Sequence, residues 1–219
     1  MRFDAVLFDL DGTLVDSAPD LAGAVNDLLA ERGLPALPYP RLRPLAGAGA
    51  RGMLGAGFGV APADEGYGAL RDAFIDRYRQ RLLRETSVFD AVLPMLDAIE
   101  GRRRPWGVVT NKATSLAEPL LSGLRLRHRA AVLVGGDTTP HGKPHPAPLL
   151  HAAQALALDP TRCVYVGDDL RDVQAGRAAG MATVAVRWGY LGVGEPIDAW
   201  GADQVVDSPR ALLNWLELA

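Results

Sequence analysis

The sequence predicts an α/β protein: a doubly wound parallel sheet with a helical block inserted after its first strand. Three observations carry this expectation. From about residue 88 onward, short apolar runs of strand type alternate with segments whose apolar residues recur at helical spacing. Several of those runs end in polar residues, as strands do where an open α/β sheet forms a site. Between residues 16 and 85 no convincing strand occurs, and the apolar residues follow the helical period alone.

Taken in order, the first strand is Val6-Leu7-Phe8, apolar at consecutive positions as in a strand buried on both faces. It runs directly into Asp9-Leu10-Asp11-Gly12-Thr13. A carboxylate at such a position needs a partner or a metal. Ser17 is placed to cap a helix, with Pro19 in its first turn and Asp20 three residues on. Leu21, Val25, Leu28 and Leu29 give that helix its apolar face, and Gly33 closes it. Pro35, Pro38, Pro40 and Pro44 interrupt the next stretch, and Gly47 to Gly52 is small and flexible. A second long helix is expected from about Glu65 to Arg84, with Leu70, Phe74, Tyr78 and Leu82 on one face.

A helix around Pro94 to Glu100 then leads to the strand Trp106 to Val109, which ends in Thr110-Asn111-Lys112. A helix over Ser115 to Leu124 leads to the strand Ala131 to Val134 and to Gly135-Gly136-Asp137. The loop Thr138 to Pro146 carries Lys143, and a helix follows to about Leu156. The strand Cys163 to Val166 ends in Gly167-Asp168-Asp169; a helix through Val173 to Ala179 precedes the strand Ala182 to Val186. Gln204 to Val206 reads as a last short strand and Pro209 to Leu218 as a terminal helix. The expected organisation is a catalytic core of residues 1–15 and 86–219 with a helical cap of residues 16–85 over the site.

Bulk properties narrow the functional class. A chain of 219 residues, 48% hydrophobic and 22% charged, can bury a sizeable core. A net charge of −3 argues against a nucleic-acid partner held by a basic surface. Arg102-Arg103-Arg104 reads as a solvated helix end. The single cysteine excludes an internal disulfide framework, and Cys163 reads as a core residue. The N-terminus enters a strand with Asp4 and Asp9 inside it, which does not read as a secretory leader. No apolar run approaches the roughly 20 residues of a membrane span. A cytoplasmic monomer or homodimer, with no membrane or nucleic-acid partner, is expected.

Right-handed crossovers put the strand ends on one side of the sheet. Asp9, Asp11, Thr110, Lys143 and Asp168 then converge, and this set suits phosphoryl transfer. Crowded carboxylates need a cation, and oxygen ligands suggest a hard one such as Mg²⁺. The lysine and threonine can hold an anionic group beside it. One carboxylate can attack phosphorus, and a second can move protons to the leaving oxygen and from water.

These motifs, in this order, resemble those of the haloacid dehalogenase superfamily. The matching residues are Asp9 to Thr13, Thr110, Lys143 within Gly142-Lys143-Pro144-His145-Pro146, and Gly167 to Asp172. The resemblance implies Asp9 as nucleophile and Asp11 as general acid/base. It implies Mg²⁺ held by Asp9, the main-chain carbonyl of Asp11, and Asp168, with Thr110 and Lys143 on the phosphate and Asn111 adding a contact there. Asp172 would orient a metal-bound water or Lys143. Asp169 reads equally well as a helix cap, and His141 and His145 as loop residues; Lys112 is a nearby rival to Lys143.

The helical cap after strand one resembles the phosphoglycolate phosphatase group. Gly49 to Met53, Gly167 to Asp172, Arg187 to Tyr190 and Trp200 to Asp203 resemble the N-acetylmuramic acid 6-phosphate phosphatases of cell-wall recycling more closely. The substrate implied is a small phosphorylated metabolite, and Arg51 in the glycine-rich cap loop is the candidate for its anionic group. A β-phosphoglucomutase would share fold and aspartyl phosphate. Asp11 argues against a dehalogenase, and the chain length against a receiver-type phospho-acceptor.

Overall fold

The apolar run Ala5–Phe8 becomes β1, the strand against which the rest of the sheet is laid. The computed structural model describes residues 3–218. After β1 come β2 (Val15–Asp16) and the helices α1 (Ala18–Ala30), α2 (Tyr39–Leu42), α3 (Gly49–Phe58) and α4 (Tyr67–Arg81). The chain returns through β3 (Ser87–Val88) and α5 (Val92–Gly101) to β4 (Trp106–Val109) and α6 (Thr114–Gly123). It continues with β5 (Val132–Val134), α7 (Ala147–Ala155), β6 (Cys163–Gly167), α8 (Leu170–Ala178), β7 (Ala182–Val186), β8 (Gln204–Val206) and α9 (Pro209–Trp215).

The main sheet has six strands in the order β5-β4-β1-β6-β7-β8, and each neighbouring pair is parallel. This is the doubly wound α/β fold expected. Alternate residues of β1 serve opposite faces, as a period of two requires. Val6 and Phe8 pack with Met95, Leu96 and Ile99 of α5 and Leu212 of α9. Ala5 and Leu7 pack with Leu149, Ala152 and Ala153 of α7 and Ala175 of α8. The chain leaves β1 toward β4 and β5, then crosses back to β6 on the other side. The crevice at such a reversal is where open α/β sheets bind ligands.

Three local expectations need correction. Residues 15–16 are not simply the start of a helical block: β2 pairs antiparallel with β3, Val15 opposite Val88, at the root of the helical segment. A ladder of two residues is too short to show an alternating pattern. Ser17 does not cap α1 with its side chain. Its hydroxyl donates to Asp11, and the Tyr190 hydroxyl instead accepts from the Ser17 and Ala18 main-chain N–H groups at 2.7 and 3.0 Å. Arg104 is not merely solvated; it pairs with Asp4 at 2.8 Å.

Asp20 is fully buried, and one of its oxygens accepts from Glu85 N at 3.0 Å, Thr86 N at 2.8 Å and Thr86 Oγ1 at 2.7 Å. It fastens α1 to the segment that re-enters the sheet. Hydrogen bonds to a buried charge are among the stronger ones. Asp20→Ala is therefore expected to lower the unfolding free energy by about 3 kcal/mol, read as a shift in the urea midpoint. A shift equal to that of an exposed Asp→Ala control would contradict this role.

Candidate active site

Because β1 lies between β4 and β6, the residues that follow these strands are forced together at one edge of the sheet. Asp9 follows β1, Thr110 follows β4, Asp168 follows β6, and the loop after β5 brings in Lys143. Asp9, Asp11, Thr110, Asn111, Lys112, Lys143, Asp168 and Asp172 all line one cavity of about 340 Å³, closed from above by α3 and α4 residues including Arg51 and Tyr78.

Lys143 is the centre of the inner part. Its side chain is 3% exposed, and its ammonium donates to Tyr165 Oη and Asp172 Oδ1, both at 2.7 Å. Asp9 Oδ1 lies 2.9 Å from the same nitrogen. Burial opposes the lysine's charge, but Asp172 and then Asp9 outweigh it and hold its pKa above the ordinary value. The Tyr165 hydroxyl donates to Val109 O at 2.6 Å, which leaves it as an acceptor for Lys143. Asn111 clamps the Lys143 main chain from both sides: its amide donates to Lys143 O at 2.9 Å, and its carbonyl accepts from Lys143 N at 2.8 Å. The Asn111 side chain, expected on phosphate, is thus engaged in placing the lysine.

Oxygens of Asp9, Asp168 and Asp172 lie within 4.8 Å of one another, a grouping that could hold a metal ion. Both oxygens of Asp168 are aimed by the protein: Thr13 Oγ1 donates to one and Tyr190 N to the other, each at 2.8 Å. Two glycines let the chain come this close. Gly12 has φ +88°, and a Cβ there would stand 2.2 Å from Asp168 Oδ2; at Gly189 a Cβ would stand 2.2 Å from Asp168 Cβ. Burial, reinforced by Asp9 and Asp172, pushes the Asp168 pKa well above the carboxylate range. Burial likewise raises Asp172 to about 6, against the opposing pull of Lys143. Asp9 Oδ1 is buried, with the Lys143 ammonium as its ion-pair partner.

An oxygen-only donor set of three carboxylates crowded around one lysine fits a hard cation. The expected ligand set shares Asp9 and Asp168 with this grouping, and Asp172 lies closer to it than anticipated. The Asp11 carboxylate is not part of this grouping. Lys112 Nζ donates to both its oxygens, at 2.8 and 2.9 Å, and the Ser17 hydroxyl to one of them. Arg51 is exposed, at the mouth of the cavity. Asp169 caps α8 in a reciprocal box with Asp172, and Arg171, paired to Asp169, reaches Gly47 O at 2.7 Å. His141 and His145 are exposed, their rings 4.6 Å apart.

Sequence reasoning placed Thr13, Arg171 and Tyr190 only within matching motifs, without a role in the site, and missed Tyr165. A tyrosine inside the aliphatic run Cys163 to Val166 was the available signal, because a buried phenol needs a partner.

The chain is similar to known hydrolases along most of its length. A family model for haloacid dehalogenase-like hydrolases matches residues 6–186. A phosphoglycolate phosphatase of Xanthomonas campestris is 49% identical over 216 residues, spanning 97% of this chain and 96% of that protein. An N-acetylmuramic acid 6-phosphate phosphatase of Pseudomonas putida is 43% identical over 219 residues, spanning 100% and 98%. Among solved structures, a protein described as a predicted phosphoglycolate phosphatase from Haemophilus somnus superposes with a TM-score of 0.87 at 28% identity, covering 99% of both chains.

The raised carboxyls have a measurable consequence. A carboxyl whose folded pKa exceeds its unfolded value binds more protons when folded, so its stabilisation fades as pH rises through the raised value. With Asp172 at about 6, the metal-free protein is expected to lose about 1 kcal/mol more unfolding free energy than Asp172→Asn between pH 5 and 7. Urea titrations in EDTA read this directly; parallel pH profiles for the two proteins would contradict it.

Proposed function

The chain belongs to the haloacid dehalogenase-like hydrolases and is a phosphoric monoester hydrolase, and from this premise we propose that it hydrolyses 2-phosphoglycolate with Mg²⁺ by way of a phosphoryl group carried on Asp9. The observation that carries the reading is the state of Asp9. It stands at the end of the central strand with a buried oxygen whose one ion-pair contact among the described residues is the Lys143 ammonium at 2.9 Å, and it lines the same cavity as Thr110. That is how a carboxylate is left ready to bond to phosphorus.

An Asp9 oxygen attacks phosphorus, a P–O bond to Asp9 forms, and the bond to the leaving oxygen breaks. Asp11 gives that oxygen its proton. It then takes a proton from the water that attacks the phosphoryl group, returning Asp9 and releasing orthophosphate. Lys143 and the Thr110 hydroxyl hold the non-bridging oxygens, and Asn111 keeps Lys143 in place. Asp9, the Asp11 main-chain carbonyl and Asp168 would hold Mg²⁺, with Asp172 orienting the group; the bound ion supplies neutralisation of phosphoryl charge. Arg51 is positioned to meet an anion at the cavity mouth.

A second reading has its own support. The relative that acts on N-acetylmuramic acid 6-phosphate aligns along the whole chain, and a cavity of about 340 Å³ has room for more than a two-carbon ester. A panel including 2-phosphoglycolate and N-acetylmuramic acid 6-phosphate, ranked by kcat/KM, distinguishes the two.

Asp9→Asn is expected to lower kcat by about 10⁴-fold or more on every phosphate ester while leaving the unfolding transition in place. Turnover within tenfold of wild type would remove Asp9 as nucleophile. EDTA is expected to abolish activity and excess Mg²⁺ to restore it; activity indifferent to chelation would remove the metal.

A further inference from the structure

The Lys112–Asp11 pair has to come apart for the reaction to run. Asp11 serves the leaving oxygen only with a free carboxyl oxygen, yet Lys112 engages both, and Ser17 engages one of them as well. The Lys112 side chain is 6% exposed. Its ammonium lies 4.6 Å from the centre of the Tyr78 ring, on α4, and Tyr78 is itself buried. Among the described residues, Asp11 is the one carboxylate in ion-pair contact with Lys112. When Asp11 turns to the substrate, an enclosed ammonium is left facing an aromatic ring and a cavity. A buried charge without a partner is strongly disfavoured, so an incoming anion has to replace the departing one.

We propose that Lys112 is the receptor for a carboxylate on the leaving portion of the substrate, and that this carboxylate takes the place of Asp11 and frees it to act. The proposal rests on the phosphatase reading of Asp9 and Asp11 and deepens it. The chemistry of the replaced group sets the class of ligand: one carboxylate is exchanged for another, matching charge and two-oxygen shape. Position sets its spacing. Lys112 is two residues from Thr110, whose hydroxyl accepts from Lys112 N at 3.1 Å, and it contacts the group that must reach the leaving oxygen. The substrate carboxylate is therefore only a few bonds from the ester oxygen, as in an α-phosphooxy acid. A neutral phosphate ester leaves the resting pair intact, and Asp11 stays engaged.

The test compares 2-phosphoglycolate with 2-hydroxyethyl phosphate, in which an alcohol replaces the carboxylate, using the Mg²⁺-loaded full chain and Lys112→Met. Wild type is expected to prefer the acid by about 100-fold in kcat/KM, and the variant by less than about fivefold. A variant that loses the same factor on both esters, or a wild type without preference, would overturn the proposal. Should Lys112→Met not fold, Lys112→Gln is read in the same comparison, with the same loss of preference expected and an unchanged preference overturning the proposal. Moving the carboxylate one carbon further, in 3-phosphooxypropanoate, is expected to lower kcat/KM by about tenfold, and equal rates would overturn it. 4-Nitrophenyl phosphate separates this from the underlying reading. Its hydrolysis by wild type and not by Asp9→Asn keeps the phosphatase assignment standing whatever Lys112 does.

Discussion

One ammonium serves the acidic inner end of the sheet. Lys143 stands between Asp172 and Asp9, and Asp168 shares the same small volume with no cation of its own. Coulomb attraction at 2.7 to 2.9 Å holds the lysine charged in spite of its burial. The deficit that remains appears in Asp168 and Asp172, whose pKa values are driven up. The crowding follows from topology, because β1 is flanked by β4 and β6 and their ends cannot avoid one another. A cation bound there would offset the same carboxylate crowding.

The second organising constraint is Tyr190. Its main-chain N–H orients Asp168, and its hydroxyl accepts the first main-chain donors of α1 and donates to Asp16 at 3.0 Å. Arg43, from the helical segment, lies over its ring at 5.1 Å and donates to Gly189 O at 3.1 Å. A single residue after β7 therefore touches both the acidic cluster and the root of the helices that cover it. A shift of those helices relative to the sheet has to work against the same bonds that aim Asp168.

Reading from residues to structure succeeded where the determinant was local or carried by strand order. Asp9, Asp11, Thr110 and Asp168 each follow an apolar run, and parallel strands bring such ends together without further information. It failed where the partner is remote. Thr13 finds Asp168 across 155 positions and Ser17 finds Tyr190 across 173, and no periodicity encodes either contact. Ser17 and Asp20 also show how a local rule is overridden. Both fit a helix start, but buried demands were stronger: Asp11 took the serine hydroxyl, and the main chain at Thr86 took the aspartate.

The two lysines of the cavity were rivals in the sequence, and their surroundings assign them different work. Lys143 is over-determined: Asn111 clamps its main chain, Tyr165 and Asp172 accept from its ammonium, and Asp9 lies beside it. Removing any one partner leaves the others, so its position can persist through every stage of phosphoryl transfer. Among the described residues Lys112 has a single carboxylate partner, Asp11, the residue proposed to move the proton. Its other neighbour is an aromatic ring supplied by the helical segment, which stabilises a cation without demanding a fixed hydrogen bond. A charge held this way can change partners at little cost, provided the replacement arrives as the first one leaves. On the proposed function, recognition of the phosphoryl group would rest on fixed contacts, and recognition of what it is attached to on an exchangeable one.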